Sequence, residues 1–169
     1  MTLEQMLRDA AAHGAEVFQI CDYPPLGEMS SDELQEVRAL GQELGLVLEV
    51  GTRGVRPEVL LRHLEIAQTI GSGYVRSMIQ PVDTPLDQVP ELLAAVLPSY
   101  AQAGVDLGLE TYEQVPTAEL VALVEQVDHP SLGIVLDPGN SVAALEHPAD
   151  VVARTAAHVS NLHIKDFGF

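Results

Sequence analysis

Leu132–Asn140 reads LGIVLDPGN, an unbroken apolar run that closes on an aspartate. A strand with no polar position in its interior must be covered on both faces, which points to a parallel sheet flanked by helices. Five further runs have the same character: VFQICD, LVLEVG, YVRSMI, VDLGLE and SNLHIKD. Helical segments lie between them, and the helix–strand unit repeats at roughly 27 to 34 residues, the size of one βα module. The expectation is a single α/β domain over residues 1–169, with six βα units in a barrel-type arrangement.

The helical segments carry their own punctuation. Thr2 with Gln5 and Ser30 with Glu33 have the spacing of capping boxes, while Pro57 and Pro148 suit first helical turns. Gly14, Gly45, Gly71 and Gly104 stand where helices should stop, each a few residues before a strand. Pro98 predicts a kink in Leu86–Ala103 and a division of that segment into two helices. The glycines of GSGYV follow a helix and precede a strand, the reverse of a dinucleotide-binding loop, so they read as a helix stop.

Composition narrows the function. The chain has 169 residues, 25 acidic against 8 basic, and a net charge of −17. No Lys/Arg cluster is available to displace counterions from a phosphate backbone, which argues against nucleic acid as a partner. No apolar run is long enough to span a membrane, and the start MTLEQMLRDAAAHG lacks a basic n-region, so a soluble, cytoplasmic protein without membrane contact is expected. The single cysteine, Cys21, agrees with a reducing compartment and reads as a small buried apolar residue.

One polar residue falls at or near the C-terminal end of each strand: Asp22, Glu49, Arg76, Glu110, Asp137 and His163. In a parallel barrel those ends surround one mouth, where active sites are built. A polar residue at a strand end is often only the start of a loop. Glu110, Asp137 and His163 stand apart, because they lie on consecutive strands and form a donor set suited to Mn²⁺, Mg²⁺, Co²⁺ or Zn²⁺.

The phrases LVLEVGTRG, LGLETYE, LGIVLDPGN and NLHIKD, in this order, resemble those of the xylose-isomerase-like sugar isomerase/epimerase family, and the likeness runs over essentially the whole chain. That resemblance implies a (β/α)8 TIM barrel, with the six units corresponding to strands 2 to 7 and the first and eighth strands lacking. VFQICD and NLHIKD would then be raw sheet edges, inviting self-association into a homo-oligomer. A longer gene product, a second chain over the gap and a rearranged fold are the three ways to resolve such edges.

The resemblance also implies a divalent metal held by Glu110, Asp137 and His163, with a fourth ligand, an eighth-strand Glu, that has no counterpart here. Glu110 would double as a catalytic carboxylate, one of two that move a proton beside the carbonyl of a keto sugar or sugar phosphate. Without its partner glutamate, the chain is expected to bind metal and still fail to turn over. Lys165 lies two residues beyond His163, on the same strand face, and either contacts a substrate oxygen or pairs with a carboxylate at the mouth. Asn140 stands where many relatives have a histidine that contacts substrate, and an amide cannot take a proton at neutral pH. Arg53, Arg76 and Glu49 complete the substrate-binding set, and Tyr112 either lines the pocket or packs. Asp166 is given no function.

Two alternatives stay open, and a third is disfavoured. A dehydratase of a cyclic hydroxy-ketone would use nearly the same metal site. A degenerate or truncated barrel would bind a ligand or partner without turnover. Abasic-site endonucleases of the same superfamily need more histidines at the mouth; His13, His63, His129, His147 and His158 are expected in helices or loops remote from it.

Overall fold

The computed structural model describes residues 1–165. Six strands form one sheet, β1 (Val17–Ile20), β2 (Val47–Gly51), β3 (Tyr74–Ser77), β4 (Asp106–Glu110), β5 (Leu132–Leu136) and β6 (Val159–Leu162). They lie side by side in chain order and every adjacent pair is parallel. The helices are α1 (Leu3–Ala12), α2 (Pro25–Glu28), α3 (Ser31–Leu44), α4 (Pro57–Ile70), α5 (Val89–Ala103), α6 (Thr117–Val127), α7 (Pro138–Ala143) and α8 (Pro148–Thr155). Among the described residues this is the TIM-barrel architecture, with six parallel strands, each preceded by a helix, in an open sheet. Asp166, and with it the end of the NLHIKD phrase, lies outside the described residues.

Local sequence explains where the helices begin and end. Thr2 and Ser30 each accept from the backbone N–H three residues on, while Gln5 and Glu33 reach back, so both capping boxes form. Gly45, Gly71 and Gly104 close α3, α4 and α5 in the left-handed conformation that a side chain would oppose. Pro98 does not divide its segment. One helix runs from Val89 to Ala103 through it, and the break falls earlier, at a 3₁₀ turn over Leu86–Gln88. Tertiary anchoring explains the difference: Leu93, Val96, Leu97 and Tyr100 are all fully buried on both sides of the proline. Tyr100 also donates its hydroxyl to Leu60 O on α4 at 2.8 Å. Packing of this kind outweighs the one backbone hydrogen bond a proline deletes.

The apolar strand faces meet α3, α4, α5 and α6 in a single core that includes Val50, Leu60, Ile66, Val75, Leu93, Leu107, Leu109 and Ile134, all fully buried. On the other, concave face a polar layer crosses the sheet. Tyr74 Oη on β3 lies 2.7 Å from Ser160 Oγ on β6. The phenol passes over Gly108 and the hydroxyl over Gly133; a Cβ at either glycine would collide with them. Between Ile134 and Val135 the β5–β6 register slips, and this irregularity lets neighbouring residues of β6 both reach across the concavity, Ser160 to Tyr74 and Asn161 to Glu49.

The last strand differs from its sequence reading. SNLHIKD is apolar enough to suggest a buried strand carrying His163 and Lys165, yet β6 ends at Leu162 and none of its four residues is buried. Among the described residues it is paired on one side only, which leaves Leu162 and Ile164 exposed, and His163 and Lys165 follow the strand rather than belong to it.

Candidate metal centre

Glu110 is the last residue of β4 and Asp137 immediately follows β5, so the parallel register delivers both carboxylates to the same end of the sheet. Asp137 is fully buried and Glu110 is 4 % exposed. Each is held from several directions. Asp137 caps α7, its Oδ1 accepting from Asn140 N at 3.1 Å. Its backbone N–H donates to Thr111 Oγ1 at 2.9 Å, and the Thr111 hydroxyl in turn donates to Asp137 O at 3.2 Å. Glu110 Oε2 is ion-paired with Arg76, which also donates to Thr52 O at 3.3 Å. Glu110 Oε1 accepts from Asn140 Nδ2 at 2.9 Å.

The segment just after β6 contributes the imidazole. His163 Nδ1 lies 3.6 Å from Glu110 Oε1 and 3.9 Å from Asp137 Oδ2, and the backbone N–H of His163 donates to Leu136 O at 2.9 Å. The three side chains each offer one donor atom, and these atoms lie within 4.8 Å of one another. Two oxygens and an imidazole nitrogen at this spacing fit a divalent cation. Asp137 Oδ2 supports the fit, for it is buried and accepts no well-directed hydrogen bond. Burial alone would push the Glu110 carboxyl up, but His163 and the Arg76 guanidinium outweigh it and hold that carboxyl down at about 2. A carboxylate that stays ionised is a ready ligand.

The other residues singled out from sequence are placed as follows. Lys165 pairs with a carboxylate: its Nζ is 2.5 Å from Asp137 Oδ2 and donates to Asn140 Oδ1 at 2.9 Å. Asn140 thus bridges Glu110, Thr111 O and Lys165. Arg53 is exposed and pairs with Asp22 at 2.8 Å, which lowers the Asp22 carboxyl below its ordinary range. Glu49 accepts from Gln19 Nε2 at 2.8 Å and from Asn161 Nδ2 at 3.1 Å, within the concave face. Cys21 is only partly buried; it donates to Gln19 Oε1, and burial pushes its thiol up to about 11.

Gln19, Thr111 and Asn161 were not singled out from sequence. Gln19 and Glu49 are register partners on β1 and β2, so two polar residues at matching positions of apolar strands were the available signal. Of the histidines expected far from the mouth, His63 departs from the reading: it lines a cleft of about 550 Å³ together with Asp22, Tyr23, Thr52 and Arg53, beyond the ends of β1 and β2. Its place one and a half turns into α4 brings it there.

Parallel strands flanked by helices, with carboxylates and an imidazole gathered at their C-terminal ends, define a barrel-type fold with a candidate cation site at its mouth. The chain belongs to the xylose isomerase-like TIM barrel family, which it matches over residues 7–168. It is 46 % identical over 169 residues to 3-oxo-isoapionate decarboxylase of Pectobacterium atrosepticum, covering 99 % of this chain and 62 % of that protein. The chain therefore spans somewhat under two thirds of that relative's length. Among solved structures, D-psicose 3-epimerase with D-tagatose from Clostridium cellulolyticum H10 superposes with a TM-score of 0.84 at 17 % identity, over 96 % of this chain and 67 % of the other. The probable 3-DHS dehydratase AsbF from Bacillus anthracis gives 0.76 at 16 % identity, over 98 % and 68 %. These two likenesses establish the fold. Among the described residues no helix is long and apolar enough to cross a membrane.

Proposed function

We propose that this chain carries the cation-binding part of an enzyme that removes CO2 from a 3-oxo sugar acid. The observation that carries the reading is the convergence of Glu110, Asp137 and His163 within 4.8 Å, with the ammonium of Lys165 beside them. The 46 % identity to a decarboxylase of a 3-oxo acid directs the choice of substrate. A carboxylate in the substrate gives Lys165 and Arg53 an anion to meet, which a neutral keto sugar does not.

A 3-oxo acid loses CO2 by cleavage of the bond between its carboxyl carbon and C2. The electron pair of that bond moves toward the 3-oxo oxygen, and a proton from solvent or a protonated side chain later arrives at C2. A divalent cation held by Glu110, Asp137 and His163 would supply the positive charge that stabilises this oxygen. Arg76 keeps Glu110 ionised and aligned. Glu49 accepts hydrogen bonds from substrate hydroxyls, Asn140 holds Glu110 and Lys165 in place, and Lys165 and Arg53 orient the carboxylate. This chemistry needs no pair of glutamates on opposite faces of the substrate, so Glu110 serves as a ligand.

The second reading is an isomerase or epimerase of a keto sugar or sugar phosphate, with Glu110 as one of its two proton-transferring carboxylates. It draws support from Glu110 standing at the mouth beside the cation pocket, because both reactions place negative charge on the same kind of oxygen. Incubating the Mn²⁺-loaded chain with a carboxyl-¹³C 3-oxo sugar acid, and separately with a keto sugar in D2O, separates the two. Labelled CO2 without deuterium in the keto sugar supports decarboxylation. Deuterium at the carbon beside the carbonyl supports epimerisation, and a metal-loaded chain that does neither is a binding module.

A further inference from the structure

The chain contains one lysine, Lys165, against seven arginines, and that lysine is in the cation pocket. Its partner Asp137 is fully buried, whereas the Lys165 side chain is 48 % exposed. One end of the ion pair is fixed by the core and the other is tethered from solvent. The orientation of Asn140 is also determined. Its two amide hydrogens go to Glu110 Oε1 and Thr111 O, so its carbonyl oxygen is the atom left to face Lys165.

Lys165 Nζ sits 2.5 Å from Asp137 Oδ2, the same oxygen that lies 3.9 Å from His163 Nδ1. A divalent cation held by His163 and Asp137 would meet the ammonium at close range. Two positive charges this near each other in a partly desolvated pocket repel strongly. The contact with Oδ2 is one of charge, since that oxygen accepts no well-directed hydrogen bond, whereas the contact with Asn140 Oδ1 is a directed one.

We propose that Lys165 is a stand-in cation: its ammonium neutralises Asp137 while the pocket holds no metal, and leaves Oδ2 when a divalent ion enters. Asn140 Oδ1 stays as its anchor, so the displaced ammonium is retained at the rim, where it can meet an anionic substrate group. Metal binding and exposure of the lysine are therefore one event, and substrate capture by Lys165 follows the metal. The inference rests on the cation-binding reading above.

Because there is one lysine, amine-directed acylation read by peptide mass spectrometry reports on it alone, with the N-terminal amine as internal reference. On the metal-stripped wild-type chain, Mn²⁺ should raise the labelling of Lys165 and leave that of the N-terminus unchanged. In a parallel titration, Lys165→Met should bind Mn²⁺ about tenfold or more tightly than wild type, since no resident charge must be displaced, and Lys165→Arg should not. Labelling of Lys165 that ignores Mn²⁺, or a Lys165→Met affinity equal to or below that of wild type, overturns the proposal. Failure of both proteins to bind Mn²⁺ would instead remove the cation site itself, and the proposal with it.

Discussion

Strands in the middle of the sheet and strands at its margins are similarly apolar and end up in different surroundings. β4 is buried at four of its five positions and β5 at all five, whereas β1 buries one residue of four and β6 none. The difference is one of neighbours: a middle strand is paired on both sides and covered by helices, a margin strand on one side only. The candidate site straddles this divide. Glu110 and Asp137 end middle strands and are fixed by the core, by Arg76 and by Thr111, while His163 and Lys165 follow a margin strand and are partly exposed. The carboxylates are thus preset, and the imidazole and ammonium are the adjustable half of the same site.

The largest effect should come from the fixed half. Arg76→Met leaves Glu110 buried without its cation and is expected to cost about 3–5 kcal/mol of folding stability. The exposed Arg53–Asp22 pair gives the contrast, with Arg53→Met changing stability by less than about 1 kcal/mol. Urea denaturation of both variants measures the gap, and comparable losses would dissolve the distinction between preset and adjustable halves.

Next in size is a comparison of packing. Leu107, fully buried on β4, should lose about 2–5 kcal/mol on replacement by alanine. Leu162, half exposed on β6, should lose under about 1 kcal/mol in the same experiment. A large loss at Leu162 would mean that something covers the β6 margin in solution, which a concentration-dependent stability would then reveal.

Acid sharpens the comparison further. Glu110 titrates at about 2 rather than its ordinary 4.5, because His163 and Arg76 outweigh the opposing effect of burial. A depressed carboxyl binds fewer protons folded than unfolded, so its contribution is fully present above pH 4.5 and is lost as pH falls toward 2. Stability of the metal-free chain should decline through that window, and Glu110→Gln should flatten this part of the decline. An unchanged profile in the variant would show that other groups govern acid unfolding.

How much of this was legible beforehand follows from the range of the forces involved. The order of elements and the parallel pairing could be read because an apolar run such as LGIVLD and a capping box such as Ser30–Glu33 announce themselves within a few residues. The convergence of Glu110, Asp137 and His163 was legible because parallel strands put equivalent ends together. The course of α5 through Pro98 was not, since it depends on Tyr100 reaching Leu60 on another helix. Nor was the shortened, exposed β6, whose burial is decided by a neighbour rather than by its own residues. The pairing of Lys165 with Asp137 in this structure was equally out of reach, because it depends on oxygens of Asp137 and Asn140 presented from beyond another strand. The link from Asn161 to Glu49 spans 112 residues and has no local signature.

The central claim is that preset carboxylates and an adjustable imidazole hold one divalent cation. Its most direct test is a calorimetric titration of Mn²⁺ into the metal-stripped chain and into His163→Ala, with circular dichroism confirming that both are folded. One ion per wild-type chain, with affinity lost about a hundredfold or more in the variant, is the expected result. A folded wild type that binds Mn²⁺ no better than His163→Ala would contradict it.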